Sequence, residues 1–167
     1  MLAVGGIASV ISDYIQNLPK VETTLNGITL NEKASDVLFK NKGFIEIKDP
    51  HWNSIDRVVY KNVDLNSEGT TIIVDKNQVK RILYQCRSSN GAIDLDNKHC
   101  AENGEKILEK YKDEVDIICL KEDYSIRLFN IKKYNVRYYL QYNKVIGILI
   151  GNDIELSYIH EDYEKCK

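Results

Sequence analysis

Hydrophobic spacing divides this chain into two kinds of segment. Ala34, Val37, Leu38 and Asn41 recur at intervals of three and four, which predicts a helix from about Asn31 to Lys42 that Gly43 terminates. Gly104, Ile107, Leu108 and Tyr111 show the same spacing later in the chain, so a second helix is expected there. Gly104 weakens that helix by about 1 kcal/mol, and its start is the less defined of the two. Between and after the helices the period drops to two and β-branched residues dominate. "FIEIKD", "RVVYKNVDL", "TTIIVD" and "QVKRILYQ" follow the first helix; "VDIICLK", "YSIRLFNI", "NVRYYLQ" and "KVIGILIG" follow the second.

The last two strands of each group are joined by two residues, Lys76-Asn77 and Tyr142-Asn143. Asn tolerates the positive φ that such hairpin turns demand. The turns also open two matching stretches, "KNQVKRILYQ" and "YNKVIGILIG", which agree at Asn77/Asn143, Val79/Val145, Ile82/Ile148 and Leu83/Leu149. The expectation is therefore an α+β fold of two tandem repeats, each a helix plus a four-stranded antiparallel meander, with the helices packed on one face of the sheet. Residues 26–86 would form the first repeat and residues 87–167 the second, with a C-terminal tail. Residues 1–25 would be an apolar, anchor-like or docked helical segment.

Pairing outward from the Tyr142-Asn143 turn sorts side chains by face, because alternate residues point to opposite sides. Val136, Tyr138, Leu140, Val145 and Leu149 form an apolar set expected beneath the helices, while Arg137, Tyr139, Gln141, Ile146 and Ile148 share the other side. In the first group Ile72, Val74, Val79 and Leu83 stand opposite a mixed set that includes Lys80, Ile82 and Tyr84. Arg81 falls on the apolar side and fits badly, which points to a bulge or a sheet margin there.

Composition narrows the classes of function. With 167 residues, 43% hydrophobic and 29% charged, the chain is that of an ordinary globular domain or two small ones. A net charge of −2 without a basic cluster excludes the usual footprint of a nucleic-acid partner. "MLAVGGIASVI" is apolar from Leu2 to Ile11, too short to cross a bilayer and without a basic flank before it. Three readings of it compete: the end of a membrane anchor, a degenerate signal, or a helix docked on the domain.

Cys86, Cys100, Cys119 and Cys166 allow three pairings, and spacing alone does not choose among them or against four free thiols. With no Cys-x-x-Cys, no zinc knuckle or dithiol redox site is suggested. An oxidising compartment with Cys86–Cys100 and Cys119–Cys166 bridges is the favoured reading, because the apolar start also points away from the cytoplasm.

Chemistry is sparse. "DPHWN" around His51 has no partner nucleophile or second base. "HCAEN" pairs His99 with Cys100 near a helix start, and "IHEDYEKC" gives His160 and Glu164 in the tail, two ligands short of a closed metal site. No phosphate-binding Gly-rich loop, dinucleotide turn or nucleophile elbow occurs. No cofactor or metal is expected, and the chain is read as a non-enzyme.

The segments "GITLNEKASDVLFKNKGF" with "NQVKRILY", and "GEKILEKYKD" with "NKVIGILI", resemble the fold of β-lactamase inhibitory protein and of the SmpA/OmlA-type outer-membrane assembly lipoproteins. The likeness covers residues 26–151. It departs from the lipoproteins in having no Cys before Cys86, so lipid anchoring is not supported, and β-lactamase binding does not carry over. What the resemblance implies is a non-enzymatic protein outside the cytoplasm whose sheet face docks a partner. Lys80, Tyr84, Arg137, Tyr139, Tyr142 and Ile146 are the residues expected to bind it, since Tyr and Arg are common interface anchors. An inhibitor, an immunity protein and an envelope-assembly accessory all fit, in the periplasm or outside the cell and with an optional N-terminal tether. The alternative is a small ligand-binding or catalytic domain with a pocket between the two repeats.

Overall fold

The computed structural model describes residues 23–48, 57–62, 69–86, 100, 102–151 and 163–166. A two-stranded hairpin, β1 (Thr24–Leu25) and β2 (Ile28–Thr29), leads into helix α1 (Ala34–Lys40). Four strands follow: β3 (Phe44–Ile47), β4 (Arg57–Asn62), β5 (Thr70–Asp75) and β6 (Gln78–Gln85). Helix α2 (Gly104–Tyr111) precedes β7 (Asp116–Leu120), β8 (Ile126–Ile131), β9 (Val136–Gln141), β10 (Lys144–Gly151) and the short β11 (Tyr163–Lys165). Each of the eight segments read as strands from the sequence forms one.

Their assembly corrects the expected architecture. The chain is mostly β, and β3 to β11 make one undivided antiparallel sheet of nine strands in the order β11-β7-β8-β9-β10-β6-β5-β4-β3. The join is the β6–β10 ladder, where Ile82 faces Ile150, Leu83 faces Leu149 and Tyr84 faces Ile148. The helices do not form a layer over it. Nine strands at about 4.8 Å spacing span roughly 38 Å, whereas a helix is only about 10 Å wide. With seven residues in α1 and eight in α2, each covers a patch.

Both helices are seated on hairpin turns. The N–H of Ala34 donates to the carbonyl of Asn77 at 3.0 Å, and the N–H of Gly104 donates to the carbonyl of Asn143 at 3.0 Å. Asn77 Oδ1 also accepts the N–H of Ser35, and Asn103 caps α2 by accepting the N–H of Lys106. All four turn residues have positive φ: Lys76 48°, Asn77 60°, Tyr142 48° and Asn143 65°. This is the primed turn whose twist suits a two-residue hairpin.

The main core lies on the helix side. Val37, Ile107 and Tyr111 from the helices meet Ile72, Val79, Ile82, Phe129, Val136, Leu140 and Ile150 from the sheet. Tyr111 is held between Tyr134 and Tyr138, with ring centroids 5.2 and 6.3 Å away. A second set of buried residues, Val59, Ile73, Ile118, Leu128 and Leu149, lies on the opposite side of the sheet.

Two bulges settle which residue belongs to which side. In β6 the ladder passes from Val79 to Arg81, leaving Lys80 without an opposite partner; in β10 it passes from Val145 to Gly147, leaving Ile146. The misfit of Arg81 did mark a bulge. Beyond each bulge the faces exchange, so Ile82, Tyr84 and Ile148 join the helix-side core and Leu83 and Leu149 move to the far side. Simple alternation without the bulges places these five on the wrong side.

Both disulfides form. Cys86 and Cys100 are bridged with Cα atoms 5.5 Å apart, and Cys119 and Cys166 with Cα atoms 5.1 Å apart. Among the described residues no cysteine is free. Two such bridges indicate an oxidising, non-cytoplasmic compartment. No helix among the described residues is long and apolar enough to cross a membrane. The apolar stretch 2–11 and the motif centres His51, His99 and His160 lie outside the described residues.

Candidate functional site

The six residues expected on one docking face are distributed over four environments. Tyr84 is in the helix-side core, 3% exposed, because the Lys80 bulge turns it inward. Arg137 lies on the far side as expected but is only 2% exposed, and its Nε donates to Asn130 Oδ1 at 3.4 Å. It is therefore not an outward-standing anchor. Lys80 and Ile146 occupy the two bulges and are half-buried. Lys80 Nζ is tied to Asn31 Oδ1 at 3.0 Å and Gln78 Oε1 at 2.7 Å. Tyr139 is half-buried on the far side, and Tyr142, at the hairpin tip, is 74% exposed.

Tyr142 has a neighbour that the sequence reading did not single out. Its N–H donates to the carbonyl of Ser125 at 3.0 Å, which brings Tyr124 to the same end of the sheet. Tyr124 is about half exposed, and its hydroxyl donates to Glu164 Oε1 at 2.6 Å. That hydrogen bond to a carboxylate raises the Tyr124 phenol above its ordinary value. Both tyrosines are mounted on short turns between strands, so docking on them would order little backbone.

Tyr139 belongs to a second feature, a cavity of about 160 Å³ on the far side of the sheet. Ile47, Ile73, Leu83 and Leu149 supply its apolar walls; Lys61, Thr71, Gln85 and Tyr139 supply polar atoms. These residues come from β3, β4, β5, β6, β9 and β10, so the cavity straddles the β6–β10 join. The sequence reading missed this group because it placed Leu83 and Leu149 on the helix side. The available signal was Gly147: an isolated glycine inside an apolar strand marks a bulge or a close backbone approach. A Cβ at Gly147 would stand 3.3 Å from the Tyr84 carbonyl oxygen.

Among the described residues, no group of three or more His, Cys, Asp or Glu is placed to hold a metal ion. Comparison with known proteins gives no match, whether to a family model, a curated protein or a solved structure. The likeness to the β-lactamase inhibitory protein fold therefore rests on short sequence segments alone.

Proposed function

We propose that this chain is a non-enzymatic binding protein that works outside the cytoplasm, in the periplasm or beyond the cell, and engages a protein partner. The observation that carries the reading is Tyr142, 74% exposed on a rigid two-residue turn and accompanied by Tyr124. A large aromatic side chain held out on a fixed backbone is what interface anchors are made of. Two disulfides and a continuous sheet hold that end in place. The docking surface is thus the end bearing Tyr142 and Tyr124, displaced from the face where Arg137 is buried. An inhibitor, an immunity protein or an envelope-assembly accessory has this character, and the apolar Leu2–Ile11 stretch is its candidate tether.

The test is quantitative capture of partners from the extracytoplasmic fraction of the source cell, with the native chain and the Tyr142→Ala and Tyr124→Ala variants. Loss of about 2 kcal/mol per anchor, near thirtyfold in affinity, is the expected result, with thermal stability unchanged in Tyr142→Ala and lowered slightly in Tyr124→Ala, which also gives up the Glu164 hydrogen bond. Retention of the partner by both variants would remove the reading. The alternative, a small-ligand domain, has support of its own in the cavity across the β6–β10 join.

A further inference from the structure

The cavity beside Tyr139 has a composition that selects a ligand. Its volume of about 160 Å³ is close to that of engineered protein cavities that take up a single benzene ring. Ile73, Leu83 and Leu149 offer such a ring an apolar surround. Two polar arms converge on one side: a Cβ built on Gly69 would lie 3.1 Å from Lys61 Cε and 3.2 Å from Gln85 Oε1. Gly69 thus leaves open the space into which both side chains reach. The only formally charged group among the described lining residues is the Lys61 ammonium, with the Tyr139 and Thr71 hydroxyls as further hydrogen-bond donors.

We propose that this cavity binds a small carboxylate whose apolar body is about one aromatic ring. The carboxylate pairs with Lys61 and accepts from Gln85 or Tyr139, and the ring lies against Leu83 and Leu149. A hydrogen bond to a charged partner is about twice as strong as one between neutral groups, so the anion is preferred over a neutral amide of the same shape. The site is separate from the Tyr142 end, and either can fail without the other.

Benzoate and benzamide, titrated separately into the oxidised full-length chain and followed by amide resonances, test the assignment. Benzoate should bind saturably, shift Leu83, Tyr139 and Leu149, and bind about tenfold more tightly than benzamide. Lys61→Met should erase that difference. Leu83→Phe should fill the cavity and abolish binding of both; if that variant does not fold, Gly69→Ala, which crowds Lys61 and Gln85, should weaken benzoate instead. Tyr142→Ala should change nothing. Equal affinity for the two probes in the native chain, absence of saturable binding, or benzoate binding that survives the crowding variant would each overturn the proposal.

Discussion

Leu83 and Leu149 face each other across the β6–β10 ladder. They are also equivalent positions of the two matching decapeptides, which begin at Lys76 and Tyr142. A strand that pairs antiparallel with its own sequence counterpart lies on a local two-fold axis, and here the axis passes between these two leucines. The same offset of 66 positions relates the Lys80 and Ile146 bulges and the Asn77 and Asn143 turns on which the helices sit. Truncating a leucine at the axis should be felt by both halves of the sheet. Leu149→Ala should cost about 2–3 kcal/mol, the lower part of the range for buried Leu→Ala because the side chain already borders a cavity. Chemical denaturation should show this as a lower midpoint at an unchanged slope.

Lys76 adopts a left-handed conformation that a long side chain tolerates poorly. Asn is at home in that region, as at its neighbour Asn77. Lys76→Asn should therefore stabilise the fold by roughly 0.5–1 kcal/mol, read as a rise in Tm.

Gly104→Ala sets two effects against each other. Helix propensity favours Ala, by less than the roughly 1 kcal/mol of a helix interior because Gly104 is the first helical residue after the Asn103 cap. The new methyl, however, would meet the Asn143 side chain and sit 3.0 Å from Leu140 Cδ2. Overpacking of that kind costs about 1–3 kcal/mol, and it also disturbs the Asn143 seat of α2. Net destabilisation is expected in thermal denaturation, and Asn143→Gly in the same chain should recover part of the loss, because it removes the obstructing side chain and keeps a residue that accepts the positive φ of 65°.

The Tyr124–Glu164 hydrogen bond gives β11 a pH dependence. A phenol raised above its ordinary value of about 10 contributes stability that is fully present below that value and is lost as pH rises through the raised one. The difference in tyrosinate absorbance between the native chain and Tyr124→Phe isolates this group. Glu164→Gln should return its titration towards the ordinary range.

Pairing of all four cysteines predicts that no thiol reacts under denaturing, non-reducing conditions. Cys119 and Cys166 are 47 positions apart. Joining them lowers the free energy of the folded state relative to the unfolded chain by about 4 kcal/mol on the loop-entropy account. Replacing both by Ser should lower the denaturation midpoint accordingly.

The strands were legible because runs such as "TTIIVD" and "VRYYLQ" alternate between residues that break regular structure. Local pattern carries that information. Which strands pair across the chain is not local, and the β6–β10 ladder that makes one sheet from two groups was invisible in spacing. Face assignment failed for a narrower reason. A single extra residue at Lys80 and at Ile146 reverses every side chain beyond it, which moved Tyr84 inward and Leu149 outward. In β6 a charged Arg81 betrayed the shift; in β10 the residues on both sides of the bulge are apolar, so no mismatch announced it.

The disulfide at Cys166 has a bearing on life after export. It fastens β11, a strand of three residues, along the margin of a nine-strand sheet. A bare sheet margin is a template on which other chains add. Oxidation thus pins a three-residue strand over the longer β7, so the sheet ends in an edge too short to template another chain, and reduction weakens that cover.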